Sequence, residues 1–125
     1  PLTDVTIMYA GIKKIENLPP NLTSLNVYNN RITKIENLPS SVTDLDISYN
    51  KISKIENLPP NLIDFKMVNT EISKIENIPS SVRYLDISCN KIAKIENLPP
   101  NIIHLRKEYV CDNPHQTWTI WEDDQ

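Results

Sequence analysis

The chain has 125 residues, 39% of them hydrophobic, and a formal net charge of −3. That length suits one domain, no apolar run is long enough to cross a membrane as a helix, and the acidic balance excludes a partner held chiefly by phosphate contacts. Two cysteines, Cys89 and Cys111, are too few for a disulfide scaffold, and ten prolines against one glycine predict turns made by Pro, Asn and Ser rather than by residues with positive φ.

At the start, Pro1 to Asp4 hold neither a basic segment nor an apolar stretch, so no secretory signal is visible. The start suits a chain trimmed of its initiator Met, and equally an excised or mature piece. The expected location is intracellular and cytoplasmic, in the source organism or in a host cell if the source is a virus or parasite. Both thiols are then expected to be reduced. They lie on neighbouring coils but two residues out of register, which makes a bridge marginal. A glycosylation triplet, Asn21-Leu22-Thr23, carries little weight without secretion.

The pentapeptide K-I-E-N-L or K-I-E-N-I, each time before proline, begins at Lys14, Lys34, Lys54, Lys74 and Lys94, always twenty residues apart. A fixed period of this length predicts a solenoid in which each repeat is one coil stacked on the next. The expected coils are 2–21, 22–41, 42–61, 62–81, 82–101 and a partial 102–110, followed by a capping tail over 111–125. Coil one supplies Leu2, Val5, Ile7, Ile12, Ile15 and Leu18; coil two supplies Leu22, Leu25, Val27, Ile32, Ile35 and Leu38; later coils repeat the set in register. Around Leu25-Asn26-Val27 the apolar alternation predicts a short half-buried strand, and stacked coils make these strands one parallel sheet about 4.8 Å apart. Asn30, Asn50 and Asn90 follow at a fixed offset, where their amides can satisfy backbone groups that the turn would bury unpaired. The Pro-Pro-Asn and Pro-Ser-Ser segments forbid helix and favour extended, polyproline-like backbone on the convex side.

The pattern L-x-x-L-x-L-x-x-N-x-L at Leu22–Ile32, repeated from Val42 and Val82, resembles the leucine-rich repeat. The twenty-residue length and the L-P-x-x-[LV] return look like the short repeats of bacterial effector proteins. The N-x-I-x-K-I-E-N-L stretch is similar to repeats of phosphatase-regulatory and spliceosomal subunits. The resemblance implies a concave sheet of about six parallel strands and a convex side that is extended, polyproline-like or short 3-10, with no long helices.

Ile15, Ile35, Ile55, Ile75 and Ile95 are expected to point inward, leaving Lys and Glu rows that balance each other on the back. A docking role for those rows is the weaker reading, because near-identical copies give little specificity. Coil one has no polar cap before it and carries Ala10 at the Asn position, so its bare strand could pair with a second copy. At the far end Lys107 takes the place of a buried residue, predicting a last strand only half covered. Trp118, Ile120 and Trp121 are expected to fold across the open core; the competing reading makes T-W-T-I-W and the acids after it a linear motif for a partner.

No catalytic or metal-binding constellation emerges: His104 and His115 lack recurring ligand partners, and there is no phosphate-binding glycine loop. No cofactor and no metal are expected. What varies between coils is the solvent side of the sheet. The expected partner-binding residues are Tyr28, Asp44, Asp46, Tyr49, Asp64, Lys66, Tyr84, Asp86, His104 and Arg106, and all five tyrosines, Tyr9 and Tyr109 included, count as contact candidates. Tyrosines beside acids suit protein recognition, and the carboxylate line favours a basic surface. Undirected drift of surface residues would look similar.

The sequence therefore predicts a non-enzymatic protein- or peptide-binding module, with no nucleic-acid or membrane partner. The alternatives are a self-associating unit, a homodimer through its first strand, and a regulatory or effector subunit that brings a partner to a separate enzyme.

Overall fold

At the same place in every coil an apolar residue, buried in all but the first, sits between two polar or tyrosine residues, and each such triplet is a strand. These are β1 (Asp4–Thr6), β2 (Ser24–Asn26), β3 (Asp44–Asp46), β4 (Asp64–Lys66), β5 (Tyr84–Asp86) and β6 (His104–Arg106). The computed structural model describes residues 2–93, 95 and 97–108, and the backbone of 119–120. The six strands pair in parallel in chain order with a register of twenty residues, so Val5, Leu25, Leu45, Phe65, Leu85 and Leu105 form one column. The twenty-residue period dictates that register, because a slip of one residue would turn a core side chain to solvent. No helix occurs among the described residues, and none there is long and apolar enough to cross a membrane.

The core lies behind the sheet as stacked columns, with Leu22, Val42, Leu62 and Val82 in one and Ile15, Ile35, Ile55 and Ile75 in another. Coils contact only their neighbours, so each apolar side chain is sealed by the coil above and the coil below. The ends show this by contrast. Leu2 is 61% exposed where Leu22 is fully buried. Ile95 of the last full coil, expected to point inward, is 39% exposed, against 1% for Ile55.

The turns out of β2, β3 and β5 are held by the buried asparagines Asn30, Asn50 and Asn90. Asn50 Nδ2 donates to the carbonyls of Val27, Ile47 and Ser48 at 2.9, 3.0 and 3.1 Å, while its Oδ1 accepts from Ile32 N at 3.0 Å. Asn30 and Asn90 repeat the pattern, reaching back to Ile7 O and Met67 O. Each asparagine therefore staples its own turn to the preceding coil, using both donor and acceptor of the amide.

The expected avoidance of positive φ is wrong. Asn17, Asn37, Asn57, Asn77 and Asn97 inside the pentapeptide take φ near 60°, and so do Tyr9, Asn29, Tyr49, Asn69 and Cys89 just after the strands. Two left-handed residues per coil bend the chain twice, and asparagine stands in for glycine because its short amide tolerates that region. Asn37 and Asn77 use their side chains as well, donating to Ile15 O and Ile55 O across the coils. The convex return combines extended backbone with one short turn in each coil. Leu22, Val42, Leu62 and Val82 N donate to the carbonyls of Pro19, Pro39, Pro59 and Pro79, closing one tight turn per coil.

At the far end, β7 (Thr119–Ile120) runs antiparallel to β6, pairing Ile120 with His104 and Thr119 with Leu105. Lys107 is exposed, as its charge requires. Trp118, Trp121, Cys111, His115 and Tyr109 lie outside the described residues, and of Ile120 only the backbone is described.

Candidate interaction face

Side chains one residue before and after each column leucine stand on the concave face, so Asp44 and Asp46 flank Leu45 as Asp64 and Lys66 flank Phe65. Asp44, Asp46 and Asp64 converge with Ser24, Asn26 and Lys66 on a shallow pocket of about 190 Å³. Asp46 has a local task too: its Oδ1 accepts from Ser48 N at 2.9 Å, closing the turn after the strand. Asn26 does the same for Tyr28 N at 3.0 Å, so the bond needs an oxygen and not a charge.

Burial is the main reason the Asp64 carboxyl is pushed above its usual value; Lys66 opposes the shift, and Asp44, Asp46 and Asp86 reinforce it. A carboxyl that holds its proton more tightly when folded adds stability at low pH, and loses it as pH rises through the folded value. Asp64→Asn is therefore expected to raise the urea midpoint at pH 7 by more than at about pH 4, where ordinary aspartates begin to protonate. Midpoints measured across that range test this; an equal gain at both ends would contradict it.

The tyrosines separate into two groups. Tyr28 lies between Tyr9, at 5.8 Å between ring centroids and 63° between planes, and Tyr49, at 5.0 Å and 49°. Together they form a ledge along the turn side of coils one to three. Tyr84 instead stacks on His104, with centroids 5.4 Å apart and planes at 15°.

The C-terminal half of the face departs from the sequence expectation. Asp86, expected to face a partner, is only 4% exposed. Its Oδ1 accepts from Ser88 N at 3.0 Å and Ser88 Oγ at 2.6 Å, and its Oδ2 lies 3.8 Å from Arg106 Nη1. Arg106 Nε is in turn 4.0 Å from Glu108 Oε2. The alternation rule had placed Asp86 outward; the serine two residues on pulls its carboxylate onto the backbone, and the next coil's arginine covers it. The signal was the triplet D-I-S, at Asp46-Ile47-Ser48 and again at Asp86-Ile87-Ser88. Ser48 and Ser88 themselves are buried. Cys89 is buried as well, and no group of three His, Cys, Asp or Glu among the described residues could hold a metal ion.

Six parallel strands, a turn asparagine and a helix-free back are joined here in coils of twenty residues. Family models described as leucine-rich repeats match residues 20–60, as two copies, and 81–105. The chain is a leucine-rich-repeat protein. Its repeats are like those of bacterial effectors. The leucine-rich-repeat domain of a Shigella effector is 28% identical with a TM-score of 0.77, over 85% of this chain and 49% of that one. YopM from Yersinia enterocolitica WA-314 is 31% identical with a TM-score of 0.63, over 90% of this chain and 31% of that one. The leucine-rich-repeat chain thus spans less than two thirds of either structure's length. No curated protein sequence matches it.

Proposed function

We propose that this leucine-rich-repeat protein is a non-enzymatic recognition module whose concave sheet binds a basic protein or peptide. One observation carries the reading: over an unvarying core, coils two to four gather Asp44, Asp46 and Asp64 around one pocket with Lys66 as its cation. Charge left unbalanced on a concave surface steers an oppositely charged partner and selects against acidic ones. Leucine-rich-repeat domains are in general protein-interaction modules, which supports the class of partner. The likeness to the leucine-rich-repeat domain of a Shigella effector supports, within this proposal, a host-cell protein as the partner.

The combined change Asp44→Asn, Asp46→Asn and Asp64→Asn tests the reading. The asparagine at 46 keeps the turn bond, as Asn26 shows, and removes the charge. A partner retained by the parent protein at physiological salt is expected to be lost, while Lys34→Ser with Lys54→Ser on the convex face leaves it bound. Retention by the triple variant, with a parent-like circular dichroism spectrum, would sink the idea.

A second reading rests on the first coil. Among the described residues β1 is hydrogen-bonded only on its β2 side, and Leu2, Met8 and Tyr9 are exposed beside it. An unpaired edge next to apolar surface can take a second copy of the chain. Light scattering over a range of concentrations decides: a monomer throughout ends this reading. If the chain is a piece of a longer effector or regulatory subunit, the same concave face serves to bring a substrate to a catalytic partner.

A further inference from the structure

Tyr9 and Tyr49 hold backbone that suits them poorly. Both lie in the left-handed region, φ 54° and 56°, at a repeat position that coils two and four fill with Asn29 and Asn69. Asparagine tolerates that region, whereas a bulky aromatic there is an outlier. Core packing does not call for the ring at position 9, since Tyr9 is 68% exposed. Strained residues of this kind gather where a surface is used. Their rings flank Tyr28, and neither pair is stacked face to face.

The ledge adjoins the acidic pocket. Asp46 acts on the Tyr28 phenol, whose pKa is pushed up by burial first, then by Tyr49, Tyr9 and Asp46. The carboxylate also sits one coil over, its strand bonded to Val27 N beside Tyr28. One oxygen of Asp46 is held by the turn, and Asp44 and Asp64 extend the negative field on the same floor. The other half of the sheet has no such surplus, because Asp86 is paired with Arg106. A basic occupant is therefore drawn to coils one to four and not to coils five and six.

Two basic side chains could answer that charge, and the aromatic ledge separates them. A guanidinium is planar, weakly hydrated and forks onto carboxylates while its flat face stacks on an aromatic ring; an ammonium is compact and holds its water. Building on the recognition role above, we propose that Tyr28, braced by Tyr9 and Tyr49, and Asp46 form an arginine-specific subsite. An arginine of the partner lays its guanidinium against the Tyr28 ring and pairs it with the Asp46 carboxylate.

Titrating the protein with two capped peptides of equal charge, Gly-Arg-Gly-Arg-Gly and Gly-Lys-Gly-Lys-Gly, tests this by NMR. The arginine peptide is expected to bind about fivefold more tightly, the factor a single exposed cation–π contact supplies. It should also shift the ring protons of Tyr28. Tyr28→Thr is expected to erase the preference, and Asp46→Asn to weaken both peptides together. Equal binding of the two peptides by the parent protein overturns the subsite while leaving an acidic recognition face intact. Binding of neither peptide overturns it too, and so does a preference that survives Tyr28→Thr. The recognition reading itself is judged separately, by the triple aspartate variant and its partner. The comparison on the parent protein stands even if a variant folds poorly.

Discussion

Asn50→Leu is expected to lower the unfolding free energy by about 3–5 kcal/mol, read as a fall in the urea midpoint. Leucine fills much the same space but offers no donor and no acceptor. The carbonyls of Val27, Ile47 and Ser48 lose their partner at once, and so does the amide of Ile32. Each polar group left buried and unpaired costs about 1–3 kcal/mol, and part of the sum returns through relaxation and added apolar contact. The protein contains its own milder comparison at Thr70, which occupies the same repeat position. Its hydroxyl donates to Asn90 Oδ1 at 2.7 Å and accepts from Ile72 N at 3.3 Å, so it serves coils four and five and not the coil behind it. Asn50→Thr should accordingly fall between the parent and the leucine variant. A loss under about 1 kcal/mol for Asn50→Leu would mean that water reaches these carbonyls, and that the asparagines do not staple the coils.

The architecture was legible because it rests on two periods that a sequence displays openly. A twenty-residue spacing can only stack, and a single apolar residue between polar neighbours can only face one side of a strand. The Asn30, Asn50 and Asn90 column was legible for the same reason. The site was harder to read, because alternation says which way a Cα–Cβ bond leaves the strand and not where a carboxylate ends. Asp86 leaves outward and then turns back to the Ser88 amide, under Arg106. Asp46 makes the same turn bond and stays half-buried, with Lys66 one coil on at the place from which Arg106 pairs with Asp86. A neighbour one coil away decided the difference, and no single repeat contains that information. The pentapeptide was undervalued in a different way. Its Lys and Glu face solvent and its Ile is core, but its asparagine supplies one of the two left-handed bends per coil. A composition with one glycine hid this, because bends of that hand are usually sought at glycine.

Phe65→Ala should lower stability by about 3–5 kcal/mol, the usual range for an emptied aromatic site. The form of the unfolding curve should change as well as its midpoint. Phe65 is fully buried in β4 and stands in register between Leu45 and Leu85. The cavity therefore weakens both interfaces of coil four, the middle of the stack. In a solenoid, stability is close to a sum of coil terms and nearest-neighbour terms, so a weak middle uncouples the two sides. Coils one to three keep their asparagine staples, Asn30 and Asn50, while Asn90 ties coil five back to coil four through Met67 O. The expected result is a shallower transition, in which ring signals from Tyr9, Tyr28 and Tyr49 no longer melt together with those of Tyr84 in coil five. Leu105→Ala, in the last parallel strand, should leave the tyrosine transition almost unmoved, because coils one to three lose no neighbour. Coincident transitions of the coil-one-to-three tyrosines and of Tyr84 in Phe65→Ala, with an undiminished denaturant slope, would show that the coils unfold as one cooperative body.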